Sequence, residues 1–229
     1  MAYNYLSLVN DVLQKVNEVP LNSSNFATAT GFYADAKTSI NLSLNDIVLV
    51  EWEWPFNHVT HETTLVVDQV RYDFPTDAKS VSFDTFRIRG DDTLANNTTS
   101  LVQVDYEEYL QKYSDMEYRP TDHHSLPTNV FKARNLEFGI IAPPDKAYLL
   151  DYEYYTFPED LEDWDDVPTV PFQFRNTILS GAMKYAYLFR GELEPAGLSE
   201  QLFTKQLSKM KAIFVNRSEY VRSTMLNRR

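Results

Sequence analysis

Residues Val167 to Arg229 read VPTVPFQFRNTILSGAMKYAYLFRGELEPAGLSEQLFTKQLSKMKAIFVNRSEYVRSTMLNRR, and their reading decides the fold. Pro168 and Pro171 precede an apolar helix expected over Phe172 to Phe189. Its residues Ile178, Leu179, Ala182, Met183, Ala186 and Phe189 recur at helical spacing and form one broad apolar face. A break is expected from Gly191 to Gly197, then a second helix to about Val215. That helix carries Phe203, Leu207, Met210 and Phe214 on one stripe, with Lys205, Lys209 and Lys211 among them. Two such helices joined by a short break favour an antiparallel hairpin. A hairpin buries one face of each helix, so it needs further helices from elsewhere in the chain.

The N-terminal residues supply them. Asn4 is an expected N-cap, and Leu6, Val9, Leu13 and Val16 follow at helical steps, so Tyr5 to about Asn17 reads as an amphipathic helix stopped by Pro20. Leu21 to Ala29 is a polar connector. Gly31 to about Trp52 reads as a longer helix with Phe32, Ala36, Ile40, Leu44 and Ile47 along one side, ended by Pro55. Trp52, Trp54 and Phe56 cluster at its end and read as a packing plug.

Between these helix pairs the period falls to about two. Leu65–Val67 and Val70–Phe74 read as a strand pair or one bent strand, and further strands are expected at Leu101–Val104, Val130–Lys132 and Leu136–Ile141. Tyr148, Leu150, Tyr152 and Tyr154 line one face of a last strand. Val81 and Phe83 alternate in one phase and Phe86 and Ile88 in the other, which predicts a bulge near Asp84–Thr85. Gly90 to Ser100 reads as a polar loop, Asp105 as the cap of a short helix to Tyr113, and Met116 to Thr128 as irregular. Glu159 to Asp166, EDLEDWDD, reads as a solvated acidic linker around Trp164.

The expected class is therefore α+β: a discontinuous helical bundle built from the N- and C-terminal helix pairs, with an inserted β-rich domain of sandwich or barrel-like form. The domain boundaries expected are 1–54 with 167–229 for the bundle and 55–166 for the insertion.

Composition narrows function. The chain has no Cys, which excludes disulfides, thiolate metal sites and cysteine nucleophiles. Its net charge of −12 argues against gripping nucleic acid, because phosphate neutralisation needs clustered Lys and Arg. The aromatic excess, 15 Tyr and 14 Phe, favours buried interfaces. MAYNYLSLVNDV lacks the basic and apolar regions of a signal peptide, and no run has transmembrane length, so no membrane partner is expected.

Candidate chemistry is sparse. His123 and His124 beside Asp122 read as loop histidines, and His58 and His61, three apart in an expected strand, face opposite ways. The pairs Glu51/Glu53, Glu107/Glu108 and Asp165/Asp166 are carboxylate pairs of the kind an acidic chain offers by chance. No Gly-X-Ser-X-Gly elbow or phosphate-binding loop is present. No catalytic residue, cofactor or metal is expected. The basic tail Asn216–Arg229 stands apart in this acidic chain: Arg217, Arg222, Arg228 and Arg229 alternate with Tyr220, Val221, Met225 and Leu226, the residue types that anchor a partner.

The segments YLSLVNDVLQKVNEVPL, GFYADAKTSINLSLNDI, EWEWPFNH, YDFPTDAKSV, KAYLLDYEYY, FQFRNTILSGAMKYAYLFRG and IFVNRSEYVRST occur in an order that resembles the head-to-tail adaptor (connector) proteins of tailed bacteriophages. In short-tailed phages these are called tail tubular protein A. The resemblance implies a non-enzymatic virion neck protein that forms a homo-oligomeric ring of about twelve copies below the portal. It implies partners in the portal protein and in a tail nozzle or tail tube protein, with DNA passing through the lumen unread. It places Arg217, Tyr220, Arg222, Met225, Leu226, Arg228 and Arg229 against the portal. Two other readings of the same residues are a tail-associated glycan hydrolase and a carbohydrate-binding tail module built on the β block.

Overall fold

A computed structural model describes residues 3–51, 53–89, 98–118 and 124–214. It divides into two compact units, Met1–Asn57 with Phe157–Arg229 and His58–Thr156. The first is helical and is made from both ends of the chain; the second is an insertion rich in strands. The fold is α+β.

In the helical unit, α1 spans Tyr5–Lys15, and the Asn4 side chain accepts a hydrogen bond from Ser7 N at 3.0 Å, as its place before the helix predicts. Its buried face is Tyr5, Leu8, Val9, Val12 and Leu13, shifted from the expected stripe: Leu6 and Val16 lie at its margins. The helix ends before Pro20 is reached, because Asn17 takes a left-handed φ of 58°. α2 spans Phe32–Val50 and buries Ala36, Ile40, Leu44 and Ile47 with Ser39, Ser43 and Val48. It ends short of Pro55, with Glu51 already extended.

α4, Arg175–Phe189, follows a single 3-10 turn at Phe172–Phe174. Phe189, expected on its apolar face, is exposed. α5, Leu193–Phe214, buries Phe203, Leu207 and Met210 along the expected stripe. The break between them is much shorter than Gly191 to Gly197. Gly191 takes φ 76°, Gly191 N donates to Leu188 O and Glu192 N to Tyr187 O, which closes α4 with a Schellman-type turn. Pro195 then sits in the first turn of α5, where a missing N–H costs nothing, so the helix starts before it. One core joins α1, α2, α4 and α5, with Trp54 and Phe26 buried in it. Trp54 acts as the plug: it stacks on Phe56, meets Phe214 edge-on, and its Nε1 donates to Ile47 O at 2.8 Å. Trp52 lies outside the described residues.

The inserted unit holds two four-stranded sheets. One has β1 (His58–Thr64), β8 (Leu149–Thr156), β3 (Ala78–Arg89) and β4 (Thr99–Ser100) in that order. The other has β2 (Arg71–Asp73), β7 (Glu137–Ile141), β6 (Asn129–Lys132) and β5 (Val102–Val104). Pairing is antiparallel except between β5 and β6. Phe86, Ile88, Leu150, Tyr152 and Tyr154 from the first sheet share a core with Val130, Phe138 and Ile140 from the second. The sheets therefore meet face to face as a sandwich. The other face of the second sheet, Phe131 and Ile141, packs on Tyr109 of α3, Tyr106–Lys112.

The expected bulge lies between Ser82 and Arg87, where the register against β8 slips. Thr85 fills the gap: its Oγ1 donates to Ser82 O at 2.6 Å and accepts from Glu153 N at 2.9 Å. Three expectations are corrected. Leu65–Val67 is not a strand but leads into a turn with Asp68 at φ 67°, while Leu65 N donates to Tyr148 O. Asp105 sits at the start of α3 without a side-chain capping bond. Within the expected loop Gly90–Ser100, Thr99 and Ser100 form β4; residues 90–97 lie outside the described part.

Candidate functional site

The helical unit carries two surfaces unlike the rest of it. The first is the acidic segment. It is no free linker. Tyr5 N donates to Asp166 O at 2.8 Å and Leu6 N to Trp164 O at 3.0 Å, so the open N–H groups of α1 are satisfied by this loop. Asn41 of α2 clamps Leu161, donating from Nδ2 to its carbonyl and accepting from its N–H. One oxygen of Asp166 accepts from both Glu162 N and Asp163 N, closing the loop on itself. The segment projects Glu159, Glu162, Asp163 and Asp165, whose carboxylates have no cationic partner among the described residues, around a Trp164 that is 42% exposed. Its field reaches inward: burial first, then Asp160 and Asp166, push the Tyr5 phenol above its ordinary range.

The second surface is the outer side of α5. Leu198, Leu202, Lys205, Lys209 and Ile213 fall on one stripe at steps of three and four, opposite the Phe203 face. The three apolar members are 58%, 54% and 66% exposed, and neither lysine has an ion-pair partner among the described residues. Lys211, on a different side of α5, is instead tied to α2, donating to Val50 O at 2.9 Å with Glu51 at 3.2 Å. Leu198 and Leu202 could have been noticed in the sequence, since they lie off the Phe203 stripe.

The candidate partner-docking residues Arg217, Tyr220, Arg222, Met225, Leu226, Arg228 and Arg229 lie outside the described residues. What is described is the end of α5, where Phe214 packs against Trp54, Phe56 and Phe174 at centroid distances of 5.2–6.1 Å. That cluster fixes the end of α5.

The residues considered for catalysis are dispersed. Glu51 pairs with Lys211, and Glu108 with Lys112 at 2.7 Å, with Glu107 beside it on a shallow groove along α3. Asp166 holds its own loop together, and Asp165 is exposed. His58 lies 3.1 Å from Glu153, while His61 turns to the opposite face, against Tyr152 and Tyr154. His124 is 3.1 Å from Asp68; Asp122 and His123 lie outside the described residues. No group of three or more metal-ligating side chains gathers among the described residues. No helix among the described residues is long and apolar enough to cross a membrane.

The family description "SU10 adaptor protein" matches residues 3–229, and the chain belongs to that family of phage adaptor proteins. No curated protein matches the chain.

Proposed function

We propose that the chain is the head-to-tail adaptor of a tailed phage, a non-enzymatic neck component of the virion that forms a ring between portal and tail. The observation that carries the reading is the adaptor match over residues 3–229, which takes in both the helical unit and the inserted sandwich. A ring of about twelve copies follows the resemblance to tail tubular protein A, and cyclic closure is the common solution for one chain repeated about an axis. The portal binds through the tail residues Arg217 to Arg229, and the tail nozzle or tube through the sandwich. DNA crosses the lumen without being gripped. The net charge of −12 supports this, since a wall of carboxylates repels phosphates and does not hold a moving duplex.

Electron microscopy of the purified full-length chain, alone and mixed with the portal of the same phage, tests the reading. Ring-shaped class averages of about a dozen copies in either sample support it. Monomers in both samples overturn it.

A further inference from the structure

We propose that neighbouring copies join by seating the outer stripe of α5 of one copy on the acidic Trp164 segment of the next. The inference rests on the ring proposed above and assigns the two faces that build it.

The argument begins with what each face lacks. Leu198, Leu202 and Ile213 leave apolar surface on a helix whose other side is already in the core. Such a stripe spans about 22 Å along the axis, enough to form the centre of a standard interface. Between its apolar residues stand two lysines without acidic partners among the described residues. The Trp164 segment has the opposite deficit: four carboxylates without a cationic partner among the described residues, about one large exposed ring. Aromatic residues anchor interface cores, and a charged rim sets register and partner. Each face supplies what the other is missing.

The two faces cannot satisfy each other within one copy. Ser43 and Asp46 point from α2 to α4, bonding Ile178 O and Lys184, and α5 packs against α4 on that side. Asn41 and Asn45 point from the opposite flank of α2 to the acidic segment. The complementary surfaces thus lie on different sides of the helical unit. Joining them between copies gives a heterologous contact, the kind that generates rings when its rotation closes. The loop is also set in advance by the Asn41 clamp and the Asp166 turn, so little ordering entropy opposes docking.

The absence of native Cys makes a cross-linking test clean. Full-length Trp164→Cys, Leu202→Cys and the double variant are treated with a flexible bis-maleimide, and products are separated under denaturing conditions. Light scattering gives particle mass before treatment, and circular dichroism checks each fold. The double variant is expected to give a ladder of multiples, and each single variant only monomer. Dimers from Leu202→Cys alone would mean that α5 meets α5 across a two-fold axis and would overturn the proposal. A double variant that scatters as a ring but gives no ladder would overturn the assignment of faces and leave the ring standing. Monomers from the unsubstituted chain and the double variant alike, each alone and with the portal of the same phage, would sink both, whereas rings of the unsubstituted chain that are lost in the double variant support the assignment of faces. In parallel, Lys205→Glu/Lys209→Glu should weaken assembly on the order of tenfold or more, and adding Asp163→Lys/Asp165→Lys to the same chain should restore it. Failure of the swapped chain to recover, with its fold intact, would also count against the proposal.

Discussion

Gly181 of α4 lies so close to Ser43 of α2 that a Cβ at position 181 would stand 2.2 Å from Ser43 Oγ. The same Cβ would meet the Phe203 ring at 3.0 Å, so α2, α4 and α5 converge on one glycine. Ser43 has little freedom to retreat, because its Oγ donates to Ile178 O at 2.8 Å. Gly181→Ala should therefore destabilise the helical unit by about 1–3 kcal/mol through overpacking, although alanine is the better helix former. Calorimetry should show a lowered Tm. An unchanged or raised Tm would mean that the helices separate freely here.

In the inserted unit, Arg71, Tyr109 and Glu117 form a clamp. Arg71 holds both Glu117 oxygens, at 2.9 and 3.2 Å, and Tyr109 donates to one of them at 2.6 Å. Burial alone would raise the Glu117 carboxyl, but the bonds from Arg71 and Tyr109 outweigh it and hold the group below its ordinary range. A depressed folded-state value contributes stability above the ordinary glutamate range, and that stability is lost as pH falls through the folded value. Acid unfolding of the inserted unit should accordingly set in below about pH 4. Glu117→Gln should cost about 1.5–3 kcal/mol at neutral pH and flatten that dependence, read by urea titrations at several pH values. Parallel pH profiles for the two proteins would refute this.

Thr85 stands in for backbone in the β3 bulge, donating to Ser82 O and accepting from Glu153 N. Thr85→Val keeps the shape and β-branching but removes both bonds. The expected cost is about 1–3 kcal/mol, with faster amide hydrogen exchange at Glu153 as the local signature. Unchanged exchange at Glu153 would show that the bulge holds without the hydroxyl.

That bulge also shows how far the sequence could be read. The phase change from Val81/Phe83 to Phe86/Ile88 located it, because side-chain alternation reports the register of a strand against its core. The α5 stripe of Phe203, Leu207 and Met210 was legible for the same kind of reason. Leu65–Val67 misled because three apolar residues fit a strand equally well; what decides the turn is Asp68 at positive φ, with Gln69 N bonded back to Val66 O. The acidic segment was legible in part. Glu159, Asp160, Glu162, Asp163 and Asp165 are exposed as its charges predict, while its backbone is held by Asn41 and the first turn of α1, partners that no local pattern reveals. Of the candidate surfaces, the arginine tail was visible in composition, whereas the outer α5 stripe gained meaning only once the Phe203 face was seen to be buried.

The tail gives the last prediction. Phe214, in its cage of Trp54, Phe56 and Phe174, anchors the end of α5, the last described element. Under the proposed docking role, deleting Arg217–Arg229 should leave the melting of both units within about 0.5 kcal/mol of the full chain. Portal binding should be abolished, because Arg217, Arg222, Arg228 and Arg229 are the groups proposed to meet portal acids bidentately, with Tyr220, Met225 and Leu226 filling apolar pockets beside them. Repetition around a ring multiplies each contact, so substituting one arginine at a time should weaken binding far less than the deletion does. Surface plasmon resonance against immobilised portal measures both, with salt titration as a control, since charged contacts weaken as ionic strength rises. Should the truncated chain bind the portal with unchanged affinity, the docking surface belongs to the helical unit and not to the tail.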